Sequence, residues 1–153
     1  MIKKLILLLL LSLISTVSNF YAQCTGCTVT NPSGNYTFPA NSTVCFTTNT
    51  TLGDVTFGNN SKICVAPGVT VTIQNNVTST SGNNVTLEIG GTLQFTNPPI
   101  FNSNLTVNVK STGTLKSGST GNGNFTFNGT TNNLTNIGTV QVSVLGFNNS
   151  LST

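Results

Sequence analysis

Four cysteines and two carboxylates are the side chains of this chain best suited to chemistry. Cys24, Cys27, Cys45 and Cys64 fall in one early stretch, and Asp54 and Glu88 are the only acidic residues in 153. There is no histidine, and all five basic residues are lysines. Paired carboxylates can act as general acid and base, and in a glycosidase they must stand within about 5–10 Å of each other. Nothing in the pattern around Asp54 and Glu88 brings them together. Serine and threonine are plentiful, but a hydroxyl nucleophile needs an adjacent base, and no histidine is available to serve. No catalytic residue, cofactor ligand or metal ligand is therefore assigned, and the chain is expected not to be an enzyme.

The cysteines fit disulfides. Four cysteines allow three pairings, and spacing alone does not choose among them. In Thr43-Val-Cys45-Phe46 and Lys62-Ile-Cys64-Val65 each cysteine stands between residues that would face a core. If these segments are neighbouring strands, both cysteines point outward one strand apart. Adjacent strands lie about 4.8 Å apart, within reach of a disulfide's Cα separation. The expected pairs are Cys45–Cys64 and a local Cys24–Cys27. A zinc site would need reduced cysteines and would have no histidine to assist. The Cys24-Thr-Gly-Cys27 spacing also lacks the βαβ setting of a thioredoxin-like redox motif.

The positioning elements show in a repeated phrase. Alternating apolar residues reach a glycine, and Thr plus an aliphatic residue restart the alternation. The phrase runs Val85-Thr-Leu-Glu-Ile-Gly-Gly-Thr-Leu-Gln-Phe95, then Leu105-Thr-Val-Asn-Val-Lys-Ser-Thr-Gly-Thr-Leu115, then Leu134-Thr-Asn-Ile-Gly-Thr-Val-Gln-Val-Ser-Val144. A divergent copy occupies Ile63 to Ile73. The shared glycines, Gly68, Gly91, Gly113 and Gly138, are 23, 22 and 25 residues apart. Periods of this size mark stacked architectures in which each unit buries its apolar face against its neighbours. With two extra residues allowed before Gly113, Leu87, Ile89 and Leu93 align with Val107, Val109 and Leu115. Asn, Ser and Gly tracts between these runs read as corners, and Pro98-Pro99 reads as a loop. The reading is an all-β parallel solenoid (β-helix) of about five to six coils, with a β-sandwich as the alternative. Phe95, Phe125 and Phe127 alternate with polar neighbours and are expected inside, not on a glycan-binding platform. Glu88 is expected outside, near Lys110 of the next coil.

Residues 1–22 read as a signal peptide: Lys3 and Lys4 precede an apolar run from Leu5 to Ile14, too short for a membrane span. Cleavage is expected after Ala22, with a cut after Ser18 as the competitor. Gln23 before Cys24 argues against a lipid anchor. Residues 23–60 form a cysteine-bearing N-terminal region, and residues 61–153 the more regular repeat. Without the leader, three lysines face two carboxylates, for a net charge of +1. No basic stripe remains to bind nucleic acid. Sequons such as Asn84-Val-Thr86 and Asn104-Leu-Thr106 are expected from composition alone. A Thr-x-Thr ice-binding ladder fails, because Thr70-Val-Thr72 and Thr112-Gly-Thr114 differ in register relative to their glycines.

The leader, the Cys24-Thr-Gly-Cys27 start, the Cys45 and Cys64 coils and the Gly-Thr-Leu and Gly-Thr-Val phrases resemble the N-terminal part of secreted parallel β-helix adhesin-like surface proteins of Gram-negative bacteria. The resemblance covers most of residues 23–153 and carries no site residues. It implies a right-handed parallel β-helix, of the architecture shared with pectin lyases, displayed on or released from the cell surface. The partner is left open, with cell-surface or extracellular glycan or protein ligands, or further repeats of a longer chain, as the options. The chain departs from that pattern by stopping at Thr153 without a sorting domain. It is therefore expected to be a fragment or a shortened relative, with Val140 to Phe147 as an open apolar edge. The competing expectation is a fragment of a polysaccharide-active β-helix enzyme, a lyase or glycoside hydrolase, whose catalytic residues lie outside this chain.

Overall fold

A computed structural model describes residues 24–147. The predicted signal peptide lies outside the described residues.

Thr-rich alternating segments make good strands because β-branched side chains pack well on a pleated surface. Among the described residues they form sixteen short strands wound into stacked coils. The first coil holds β1 (Val29–Thr30) and β2 (Gly34–Phe38), and the second holds β3 (Thr43–Phe46) and β4 (Thr50–Phe57). The third holds β5 (Ser61–Val65), β6 (Thr70–Ile73) and β7 (Val77–Ser79); the fourth holds β8 (Asn84–Ile89), β9 (Thr92–Phe95) and β10 (Ile100–Phe101). The fifth holds β11 (Asn104–Val109), β12 (Thr114–Ser117) and β13 (Phe125–Phe127); the sixth holds β14 (Asn133–Asn136), β15 (Thr139–Gln141) and β16 (Leu145–Phe147).

Three faces result. The first is the six-stranded sheet β1-β3-β5-β8-β11-β14, so the chain returns to it five times. The second runs β2-β4-β6-β9-β12-β15, with β7 also paired to the end of β4, and the third is the three-stranded sheet β10-β13-β16. Every strand pairing among the described residues is parallel. The sandwich alternative, which needs antiparallel pairs, is excluded.

The expected register holds. Val107 pairs with Leu87, Val109 with Ile89 and Leu115 with Leu93, with the two extra residues falling between β11 and β12. All six are buried. Behind them, Val44, Ile63, Leu87 and Val107 form one inward column of the first face. Removing each such side chain from water contributes about 1.5–3 kcal/mol. Aromatic rings continue the core: Phe38 stacks on Phe57 at 4.6 Å, Phe101 on Phe125 at 5.6 Å, and Phe127 on Phe147 at 4.7 Å. Phe95, Phe125 and Phe127 are fully buried, as expected.

The recurring glycines have two different causes. A Cβ on Gly91, Gly113 or Gly138 would run into carbonyl oxygens of the coil beneath, those of Val69 and Ala66, of Ile89, and of Lys110 respectively. Coils can stack at strand spacing there only where a side chain is missing. Gly68 instead has a φ of 76° with open space around it, so its need is a left-handed turn.

Two expectations are corrected. Val140 to Phe147 is not one strand: it breaks at the corner after Gln141, giving β15 and β16 on different faces. The disulfides join Cys24 to Cys64 and Cys27 to Cys45, not Cys45 to Cys64 and Cys24 to Cys27. Cys45 and Cys64 are register partners on β3 and β5, as reasoned. Side chains at such positions project side by side, however, and keep their Cβ atoms near the strand spacing of about 4.8 Å. A disulfide wants about 3.8 Å. A segment crossing above the sheet meets each cysteine head-on instead.

Candidate functional site

Residues 24–28 lie over the outer side of the first face. Val29 begins the edge strand and pairs with Val44. Thr28 donates its backbone N–H to the Thr43 carbonyl at 2.8 Å, and its hydroxyl donates to the same oxygen at 3.0 Å. From there the segment climbs away from the edge, Cys27 reaching Cys45 and Cys24 reaching Cys64, each with Cα atoms 5.6 Å apart. Gly26, at a φ of 71°, makes the turn that presents both cysteines to the sheet. Cys45 and Cys64 alternate with inward residues, yet they are 0% and 1% exposed because this clasp covers them.

The same outward column continues upward: Cys64 pairs with Glu88, and Glu88 with Asn108. Glu88 lies 2.8 Å from the Lys110 Nζ and 3.9 Å from the Lys62 Nζ, and its carboxylate accepts a 3.4 Å hydrogen bond from the Asn108 amide. The Lys110 contact foreseen in the sequence is present, and Lys62 joins from the coil below. A carboxylate held between two ammonium groups acts as a strut between coils three, four and five.

Asp54, the other carboxylate, stands within β4, on a strand of a different sheet. Its backbone N–H donates to the Asn35 side-chain oxygen at 2.9 Å, and its Oδ1 accepts from the backbone and side-chain N–H groups of Asn76, both at 3.1 Å. Asp54 and Glu88 are thus engaged separately, each by residues of adjacent coils. No glycosidase-like pair forms.

Asparagines make a second set of inter-coil links, which the composition announced only as turns. The Asn60 amide donates to Asn41 at 3.0 Å, Asn84 to Asn60 at 3.1 Å, and Asn104 to Asn84 at 3.2 Å. The Thr130 hydroxyl extends the ladder to Asn104 at 3.1 Å. Asn41 and Asn60 adopt left-handed φ values of 56° and 55°, which asparagine tolerates better than most residues. The ladder also explains the sequons. In Asn84-Val-Thr86 and Asn104-Leu-Thr106 the asparagine is a rung at the corner, the aliphatic residue faces the core, and the threonine faces out.

The outer threonines do form a column once the insertion is respected: Thr70, Thr92, Thr114 and Thr139 are in register. The position two residues along reads Thr72, Gln94, Lys116 and Gln141, so a two-column Thr-x-Thr face is not built. The hydroxyls of Ser61 and Ser103 are buried without a hydrogen-bond partner among the described residues.

Apolar exposure concentrates on the last described coil. Ile137, Val144 and Phe147 are among the exposed large apolar side chains, and Leu134, Val140 and Leu145 are only partly covered. Their counterparts one coil below, Val107, Leu115 and Phe125, are fully buried.

With the cysteines bonded in pairs, the described residues offer no group of three or more side chains able to hold a metal ion. No helix among them is long and apolar enough to cross a membrane. Comparison with protein-family models, with curated proteins and with solved structures gives no match to this chain.

Proposed function

We propose that this chain is a rigid, non-enzymatic module of a secreted or cell-surface protein, serving as a stalk or an adhesive surface. One observation carries the reading: the side chains with chemical potential are each tied to another coil. Glu88 bridges two lysines, Asp54 caps Asn76, and the cysteines are cross-linked. Reactive groups engaged in this way hold neighbouring coils together and leave long, weakly charged outer faces. Such faces suit contact with extracellular glycans or proteins, or simple separation of attached domains. Disulfides fit an oxidising exterior.

Two assays test this together. Beads coated with the purified chain are scored for retention on surfaces carrying plant, algal and host-matrix polysaccharides or matrix proteins. The same polysaccharides are then incubated with the free chain and analysed for new reducing ends or unsaturated sugars. Retention without cleavage is the expected outcome. Measurable cleavage would overturn the proposal in favour of a polysaccharide-active enzyme.

A further inference from the structure

We propose that the four cysteines, when reduced, form a tetrathiolate site for one Zn2+ ion on the outer side of the first face. The observed pairing is what brings this site together. A local Cys24–Cys27 bond would leave that segment independent of the sheet. Instead, Cys24 and Cys27 reach two register-paired cysteines on adjacent strands, so both bonds stand side by side over β3 and β5.

The dimensions fit zinc. Zinc takes four thiolates tetrahedrally at about 2.3 Å, which sets neighbouring sulfurs about 3.8 Å apart. Sulfurs joined in any disulfide are about 2 Å apart, so on reduction each would withdraw by about 1 Å to reach that distance. Side chains on adjacent parallel strands start near the strand spacing of about 4.8 Å, so Cys45 and Cys64 would approach by a similar amount. The ion sits midway between the two former bonds. Gly26 already holds the Cys24-Thr-Gly-Cys27 turn with both sulfurs facing the sheet, and a C-x2-C turn is a common source of two zinc ligands. An all-sulfur donor set selects a thiophilic ion over calcium or magnesium.

Neighbouring side chains offset part of the charge. Four thiolates and Zn2+ leave a net charge of −2 beside Glu88, the next residue in the outward column. Lys62 and Lys110 flank Glu88, so the three side chains together contribute +1 and leave the cluster at −1. In the chemistry, each disulfide takes two electrons and two protons from a dithiol, which becomes a disulfide itself. Two dithiols thus yield four protein thiols, and Zn2+ binding releases their four protons. Two disulfide oxidants, each taking two electrons from a pair of the thiolates and two protons from solvent, re-form both bonds and release the ion.

The test uses the full chain, reduced anaerobically with a phosphine that is then removed, beside the oxidised chain. The reduced chain should take up one equivalent of Zn2+, hide four thiols from a thiol reagent, and give the visible spectrum of tetrahedral thiolate-bound Co2+ when cobalt replaces zinc. The oxidised chain should bind none, and Cys27→Ser should lose stoichiometric uptake at micromolar metal. Far-UV circular dichroism is recorded throughout. If reduction alone melts the strands, adding Zn2+ should restore them. The inference is overturned if the folded, reduced chain keeps four reactive thiols in micromolar Zn2+. It is equally overturned if Zn2+ fails to restore a melted reduced chain, or if uptake is unchanged in the Cys45→Ser, Cys64→Ser double variant.

Discussion

Replacing Ile89 with aspartate should strongly destabilise the central coils. Ile89 is fully buried, with Val65 beneath it and Val109 above it in the same inward column. Losing the isoleucine forfeits about 2–3 kcal/mol of burial. An incoming carboxyl without a partner adds about 1–3 kcal/mol. A total of about 3–6 kcal/mol reaches the lower end of the stability of a typical domain, about 5–15 kcal/mol. For a chain of this length it corresponds to a Tm lower by roughly 6–24 °C. Thermal melts by far-UV circular dichroism read this directly, with two controls. Ile89→Val should cost about 1 kcal/mol. Glu88→Ala, on the same strand but the outer face, loses a partly exposed ion pair and should cost about 1 kcal/mol or less. A parental Tm for Ile89→Asp, or an equal loss from Glu88→Ala, would refute the inward assignment.

Peptide mapping of the oxidised chain should recover Cys24–Cys64 and Cys27–Cys45, and Cys27→Ser, which opens a bridge of sequence separation 18, should cost about 3 kcal/mol in chemical denaturation. Gly113→Ala puts a methyl group against the Ile89 carbonyl and should lose about 1–3 kcal/mol, whereas Gly146→Ala, whose nearest neighbour is 3.5 Å away, should stay within about 0.5 kcal/mol by the same melts. Asn84→Ala removes a rung that both donates to Asn60 and accepts from Asn104, and should lower stability by about 1 kcal/mol.

The stacking was readable because alternation and period carry it. Leu87, Ile89 and Leu93 find Val107, Val109 and Leu115 once two residues are set aside before Gly113, and the backbone pairs them that way. The Glu88–Lys110 contact follows from the same register. The disulfide partners were not readable, because they depend on where residues 24–28 lie over the sheet. That path is set by the Val29–Val44 pairing and the left-handed turn at Gly26, and neither leaves a periodic trace. The asparagine ladder was half readable. Composition marks Asn41, Asn60, Asn84 and Asn104 as corner residues, but their alignment requires knowing that the corners stack as well as the strands. The break between β15 and β16 was hidden by an apolar run that continues across a corner.

The central claim is that each coil lies directly upon the last, so that outward residues far apart in sequence form straight columns. Thr43, Lys62, Thr86, Thr106 and Asn133 are one such column. The direct measurement is a distance series by pulsed electron spin resonance, with labels attached through unnatural residues so that the cysteines stay paired. One label stays at Thr43 while the second moves from Thr86 to Thr106 to Asn133. The separation should grow by about 4.8 Å at each step, reaching an underlying Cα distance of about 19 Å across four strand spacings. Distances that fail to climb by one spacing per coil would contradict the stacked parallel solenoid, and with it the functional reading built on its faces.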